Sequence, residues 1–528
     1  MKRFTQYLIL FVFMTILAAC SSMDTAEPMP NITADSIAVP SATAAGTASL
    51  NYAAEEEEVM AEPETAVDLQ PPNDEAYADM FFEDYGVNPF IDTEDDNLST
   101  FAIDVDTGSY TIMRNYVNLG NLPPDEAVRV EEFINYFEQD YTAPQTGAFA
   151  IHLEGSPAPY GENDNYNLVR VGIQGYEVDR EQRPDATLIF VIDVSGSMDM
   201  DNRLGLVKQS LRILVDELRP TDRVGIVVYG SSAHAVLEPT YVDSRSTILN
   251  AIDSVRSEGS TNAEEGLMIA YRMADEYRRS DGITRLILCS DGVANVGNTG
   301  AETILQHAAD GISLSTFGFG MGNYNDVLME QLADQGDGSY AYIDTLREAE
   351  RVFIDDLTGT LLTIAKDAKI QVEFNVDVVE RYRLLGYENR DVADEDFRND
   401  TVDAGEIGAG HSVTALYEVK LADEFDPTAA AMTIYVRYAD PESGEVTEIS
   451  NAIAAGQFAA SFTEASPRFQ LDAVVAEYAE ILRDSYWAQE NDLSSIVTDA
   501  QRIAEYFPGD EDVQEFAQLV SSAATLAR

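Results

Sequence analysis

Hydrophobic positions along this chain fall into three textures. Between residues 186 and 364, continuous apolar runs alternate with helical stripes. The run Leu188 to Ile192 has no polar alternation, so it predicts a strand buried on both faces, as in a parallel sheet. Behind it Leu204, Val207, Leu211, Leu214 and Leu218 form one stripe of a helix. Further strands are expected at 224–229, 286–289, 314–319 and 338–343, and helices at 246–255, 263–279, 327–334 and, closing the run, 348–364. This order predicts a doubly wound, mostly parallel, Rossmann-like sheet with helices on both faces.

The second texture is strict alternation. It occupies residues 149–155 and 168–175 before the α/β run, and 370–379, 414–421 and 432–438 after it. Such segments are antiparallel strands with one buried face. A hairpin alone is marginal, so the simplest economy pairs the two sets into one β-sandwich with the α/β domain inserted. The third texture is amphipathic. It predicts a strand at 98–104 and helices at 110–119 and 128–137, then two tail helices at 468–482 and 496–507, with Trp487 packed among the latter. The resulting division is 1–20, an export signal; 21–85, a disordered acidic tether; 86–148, an N-terminal extension; 149–185 and 366–465, the flanking β domain; 186–365, the α/β domain; and 466–528, a helical segment.

Charge changes this picture in one respect. Asp and Glu number 94 against 32 Lys and Arg over 528 residues, a net charge of −62. That surface repels nucleic acid, so no nucleic-acid partner is expected, and it attracts cations. Only five of the basic residues are lysine, a composition that salt adaptation also produces. The first twenty residues carry Lys2 and Arg3, then an apolar core at 7–17 too short for a comfortable span. No other stretch is long enough to cross a membrane. The tether lacks apolar periodicity and holds the acidic run 55–58, so it should stay extended.

Candidate chemistry sits where the strands end. Asp193 closes the first apolar run, and Ser195 and Ser197 follow in a turn; Asp291 closes another in LILCSDG, and Thr261 lies in GSTN. Carboxylates and hydroxyls at the C-terminal ends of parallel strands occupy the place where open α/β sheets bind ligands. Oxygen-only donors suit a hard cation such as Mg²⁺. Cys289 reads as a small buried hydrophobe, and His152, His234, His307 and His411 have no zinc spacing. Near Ser231 and Ser232, His234 has no nucleophile elbow and reads as a surface-loop residue. Asp104 and Asp106 in IDVDTGS look like a second metal loop, but without partners a structural turn is favoured.

Together Asp193, Ser195, Ser197, Thr261 and Asp291 resemble the metal-ion-dependent adhesion site of von Willebrand factor type A domains. The resemblance implies one ion, Mg²⁺ or else Mn²⁺ or Ca²⁺, with hydroxyl oxygens from the serines and threonine and one position open to a partner's carboxylate. Gly318 and Gly320 in FGFGMGNYN extend it, since these strands often end in glycine loops near the metal. The runs STFAIDVDTGSY and LPPDEAVRVEEFINYF, with RLLGYENR and DAGEIGAGH, closely resemble the extensions of a group of bacterial lipoproteins that carry this domain. Leu17-Ala18-Ala19-Cys20-Ser21 resembles the lipobox, which implies cleavage before Cys20 and lipid on its sulfur. Without Cys20 only Cys289 remains, so no intramolecular disulfide is expected. The expected protein is a non-enzymatic, lipid-anchored binder of the cell envelope, on the outer membrane or the outer face of the plasma membrane, presenting its ion to an unidentified protein ligand. An envelope scaffold with a vestigial site is the alternative; a metal-dependent hydrolase is the weaker one.

Overall fold

In the computed structural model, residues 80–527 are described apart from 104, 161–165, 260–261, 293–300, 309–310, 322–323, 403 and 490. Strands β1 (Ile91–Asp92) and β2 (Leu98–Ala102) come first, then helices α1 (Gly108–Asn118) and α2 (Val130–Asn135). Strands β3 (Phe149–Pro157) and β4 (Tyr166–Gly175) lead into β5 (Ala186–Asp193), α3 (Arg203–Glu217), β6 (Arg223–Tyr229), β7 (Ala233–Tyr241), α4 (Arg245–Ser254) and α5 (Ala263–Tyr277). Next come β8 (Ile283–Ser290), α6 (Ala301–Ile304), β9 (Ser313–Gly318), α7 (Asp326–Asp334), β10 (Tyr340–Tyr342), α8 (Leu346–Glu350) and α9 (Leu357–Leu361). Strands β11 (Thr363–Phe374), β12 (Val379–Leu385), β13 (Gly405–Gly408), β14 (Ser412–Leu421), β15 (Ala430–Ala439) and β16 (Val446–Ala454) precede helices α10 (Pro467–Leu482), α11 (Leu493–Tyr506) and α12 (Glu511–Leu526).

β5 is buried at all eight positions because it lies inside a six-stranded sheet of order β10-β9-β8-β5-β6-β7. Leu188, Phe190 and Ile192 pack on one side with α3, α4 and the α8–α9 segment. Ile189 and Val191 pack on the other with α5 and α7. All pairings are parallel except β6 with β7. β7 gives no alternating signal, being an exposed edge strand, and His234 lies on it rather than in a loop.

Two antiparallel sheets, β1-β12-β14-β4-β3 and β13-β11-β15-β16 with β2 added on β11, enclose a second core. β4 pairs with β14 over nine registered positions, from Tyr166 opposite Lys420 to Gln174 opposite Ser412. The α/β domain is therefore an insertion between strands that are neighbours in one sheet. An isolated 366–465 fragment is expected to lack a sharp cooperative melt in calorimetry, because β14 and β12 would lose β4 and β1.

Three expectations need correction. The strand expected at 370–379 is two strands, since Asn375 turns the chain: its amide donates to the Ala430 carbonyl (2.9 Å) and its side-chain oxygen accepts from Asp377 N–H (3.0 Å). The closing helix is not continuous to 364. It passes through a π turn at Arg351–Asp355 and stops at Leu361, where Gly359 lies so close to His411 that a Cβ would stand 2.2 Å from Nε2. Trp487 packs edge-on against Phe90 (5.0 Å), and its indole N–H donates to the Asn88 carbonyl, so it joins the tail to the N-terminal extension.

That extension is a strap through all three cores. β1 and β2 join the sandwich, Tyr110, Met113 and Phe133 pack with α10 and α12, and Ile112 and Tyr116 face the α/β domain. The described end of the segment assigned to the tether is folded, since Met80 is buried against the α/β domain. No helix among the described residues is long and apolar enough to cross a membrane.

Candidate metal centre at the strand ends

The β5–β8 register places Ile192 opposite Cys289, so the two chains leave the sheet side by side. Asp193 and Asp291 are both fully buried where they do so. Ser195 N–H donates to Asp193 Oδ1 (2.7 Å) and the Ser290 hydroxyl donates to Oδ2 (3.0 Å). Ser195 and Ser197 hydroxyl oxygens lie 2.9 Å apart. The turn is held from outside: Gly196 N–H donates to the Gly259 carbonyl (3.0 Å), and Ser257 Oγ donates to the Ser195 carbonyl (3.0 Å). Thr261 lies outside the described residues, although Gly259, two positions earlier, belongs to this contact. Cys20, Asp104 and residues 21–79 of the 21–85 tether also lie outside them.

The electrostatics follow from burial. Asp193 is pushed up to about 7, first by desolvation and then by the charge of Asp291, against the hydrogen bonds from Ser195 and Ser290. Burial raises Asp291 too, with Ser197 and Arg203 pulling the other way. Arg203 Nη1 donates to Asp291 Oδ2 at 2.8 Å, while Asp291 Oδ1 is buried and accepts no hydrogen bond among the described residues. Two carboxylates and two hydroxyls meet there. Such a donor set fits a hard divalent ion and supplies no soft ligand. No group of three or more His, Cys, Asp or Glu forms a further centre among the described residues.

Reading the sequence alone misses two members, Ser290 and Arg203. Ser290 has a signal in retrospect, since it is the last residue of β8 and faces the end of β5. Arg203 has none beyond being a basic residue at a helix start. Cys289 is buried and its thiol raised by desolvation, as a core residue's would be. His152 Nε2 donates to the Thr142 carbonyl (2.9 Å), and His307's side chain is outside the described set. Asp106 is structural: Oδ1 accepts from Tyr340 N–H (2.9 Å) and Oδ2 lies 3.5 Å from Arg390.

Residues 188–293 match the model of the von Willebrand factor type A domain. That segment is a von Willebrand factor type A domain. Residues 76–170 match a model described as von Willebrand factor, and residues 359–526 one described as the C-terminal part of uncharacterized protein YfbK. Uncharacterized protein YfbK of Escherichia coli (strain K12) is 42% identical over 352 residues, covering 64% of this chain and 61% of that protein. The chain thus spans about three-fifths of this relative's length. Uncharacterized protein sll0103 of Synechocystis is 25% identical over 305 residues, 56% of this chain and 71% of its own. A solved von Willebrand factor type A protein from Catenulispora acidiphila is similar with TM-score 0.42 and 15% identity, covering 72% of this chain and 90% of its own. None of these names carries an enzymatic activity.

Proposed function

We propose that the type A domain presents one divalent cation, Mg²⁺ or else Mn²⁺ or Ca²⁺, to a carboxylate of a protein partner. Asp193, Ser195, Ser197, Thr261 and Asp291 are the residues that would hold it. The observation that carries this reading is the meeting of two buried carboxylates, Asp193 and Asp291, with the Ser195 and Ser197 hydroxyls where β5 and β8 end. Two ionised carboxylates side by side in a protein interior are costly, and a bound cation relieves that cost. Bound there, the cation supplies a Lewis-acidic position open to a partner's oxygen. The chain's own groups prepare that position: Ser195 N–H and Ser290 fix Asp193, and the neutral serine hydroxyls add oxygens without cancelling charge. We place the protein in the cell envelope, held by lipid on Cys20, on the strength of its first twenty residues. A scaffold with a vestigial site is the rival, and the Arg203 guanidinium already on Asp291 is what favours it.

A dication titration of the intact chain at two pH values tests the reading. Only the ionised carboxylate binds the cation, and Asp193 ionises near pH 7 in the metal-free protein. The apparent affinity should therefore fall about 30-fold from pH 8 to pH 5.5, with roughly one proton released per ion at the lower pH. Without a cation the sign reverses. Asp193 holds its proton more tightly folded than unfolded, so stability declines as pH rises from about 4 to about 7 and levels off above. Calorimetry that finds no dication binding at pH 8 favours the scaffold.

A further inference from the structure

Arg203 stands at the start of α3, and its side chain is 2% exposed. One Nη donates to Asp291 Oδ2 at 2.8 Å, and the other donates to the Met321 backbone carbonyl. Its stem lies against Gly320, whose backbone is left-handed at φ +88° and where a Cβ would stand 2.2 Å from Nε. The start of α3, the loop after β8 and the glycine loop after β9 thus meet on one buried guanidinium. Packing alone does not call for a cation in this place, since an unbranched apolar side chain would fill the same path. A buried guanidinium needs an anion, and among the described residues the carboxylate it pairs with is Asp291.

We propose that Arg203 is a resident counter-charge of the centre, weakening its hold on a dication while leaving the loaded centre net positive toward an anionic ligand. This deepens the cation-presenting reading and rests on it. The arithmetic is short: two carboxylates and one guanidinium give −1 without a dication and +1 with it. Without Arg203 the loaded centre would be neutral, on a protein whose net charge of −62 repels any acidic partner. Arg203 is also a positioning residue. By occupying Oδ2 it fixes the Asp291 carboxylate and leaves Oδ1 as the oxygen not engaged by the guanidinium.

The test uses the full chain in detergent, with Mn²⁺ followed by electron paramagnetic resonance and acetate as the carboxylate probe, read by water-proton relaxation. Arg203→Met is expected to bind Mn²⁺ about tenfold more tightly, because a like charge has left the site. Acetate at the concentration that halves the relaxation enhancement of the unsubstituted chain should then leave the enhancement nearly unchanged. Arg203→Lys, which keeps the charge, should stay within about threefold of the unsubstituted chain in both readouts. If Arg203→Met does not fold, Arg203→Gln keeps a donor for Asp291 and should show the same gain and the same loss. Unchanged or weaker Mn²⁺ binding in the neutral variants, or an intact acetate response, overturns the counter-charge role alone. Failure of the unsubstituted chain to bind Mn²⁺ overturns the cation reading beneath it.

Discussion

Asp193→Ala is expected to abolish the thermal stabilisation of the intact chain by Mg²⁺ or Mn²⁺ and, with it, dication-dependent capture of a carboxylate ligand. At a concentration of about 100 times the dissociation constant, binding to the unsubstituted protein contributes roughly 2.7 kcal/mol. The variant should gain none of it. Its fold should survive, because Asp193 holds no cationic side chain and its loss removes repulsion with Asp291. At pH 8 the metal-free variant should melt no lower than the unsubstituted chain, apart from the cost of leaving Ser195 N–H and the Ser290 hydroxyl without their acceptor. A chain of net charge −62 also attracts dications diffusely, so the comparison belongs in physiological monovalent salt, where exposed charges are screened. A dication shift of equal size in Asp193→Ala would move the binding to that surface and remove the basis for a centre at the strand ends. The measurement must use the whole chain, since Ile112 and Tyr116 of the N-terminal extension complete one face of the type A domain.

Asp193 and Asp291 were legible in the sequence because each is the first carboxylate after an apolar run buried on both sides, which places it at a strand end. Ser195 and Ser197 were legible from their spacing to Asp193. Arg203 was not, since its partner is 88 residues away and only the folded sheet brings them together. The sandwich was readable as alternation and economy, but β12 and β16 escaped. β16 is largely exposed, and β12 begins after an Asn375 turn that the alternation runs straight through. The N-terminal extension hid its role for a different reason. α1 is buried nearly all round, with Tyr110 and Met113 toward the tail helices and Ile112 and Tyr116 toward the type A domain, so no single stripe announces its neighbours.

The strap predicts a stability loss comparable to the gain from a saturating dication. Arg114 on α1 is 2% exposed and makes two bonds to Asp344, at 2.8 and 2.6 Å, and one to Glu348 at 2.8 Å. It also donates to the Tyr136 hydroxyl (2.6 Å) and to Glu515 (3.2 Å). The extension, the end of the type A domain and α12 therefore converge on one guanidinium. Arg114→Met keeps much of the volume and removes the charge, leaving Asp344 buried without that partner while Arg351 still holds Glu348. Breaking a buried pair from one side costs about 3–5 kcal/mol, more than the pair itself is worth. The loss should depend on pH in a set direction. Burial already raises Asp344 above the usual carboxylate range even with Arg114 in place. Without Arg114 it should take up a proton more readily, so the variant loses most at pH 8 and recovers part of the loss near pH 5. Urea unfolding at both pH values checks this, with Asp344→Asn added to Arg114→Met as the partner experiment. If the double variant is no more stable at pH 8 than the single one, the stranded charge of Asp344 is not the source of the loss, and packing around α1 is.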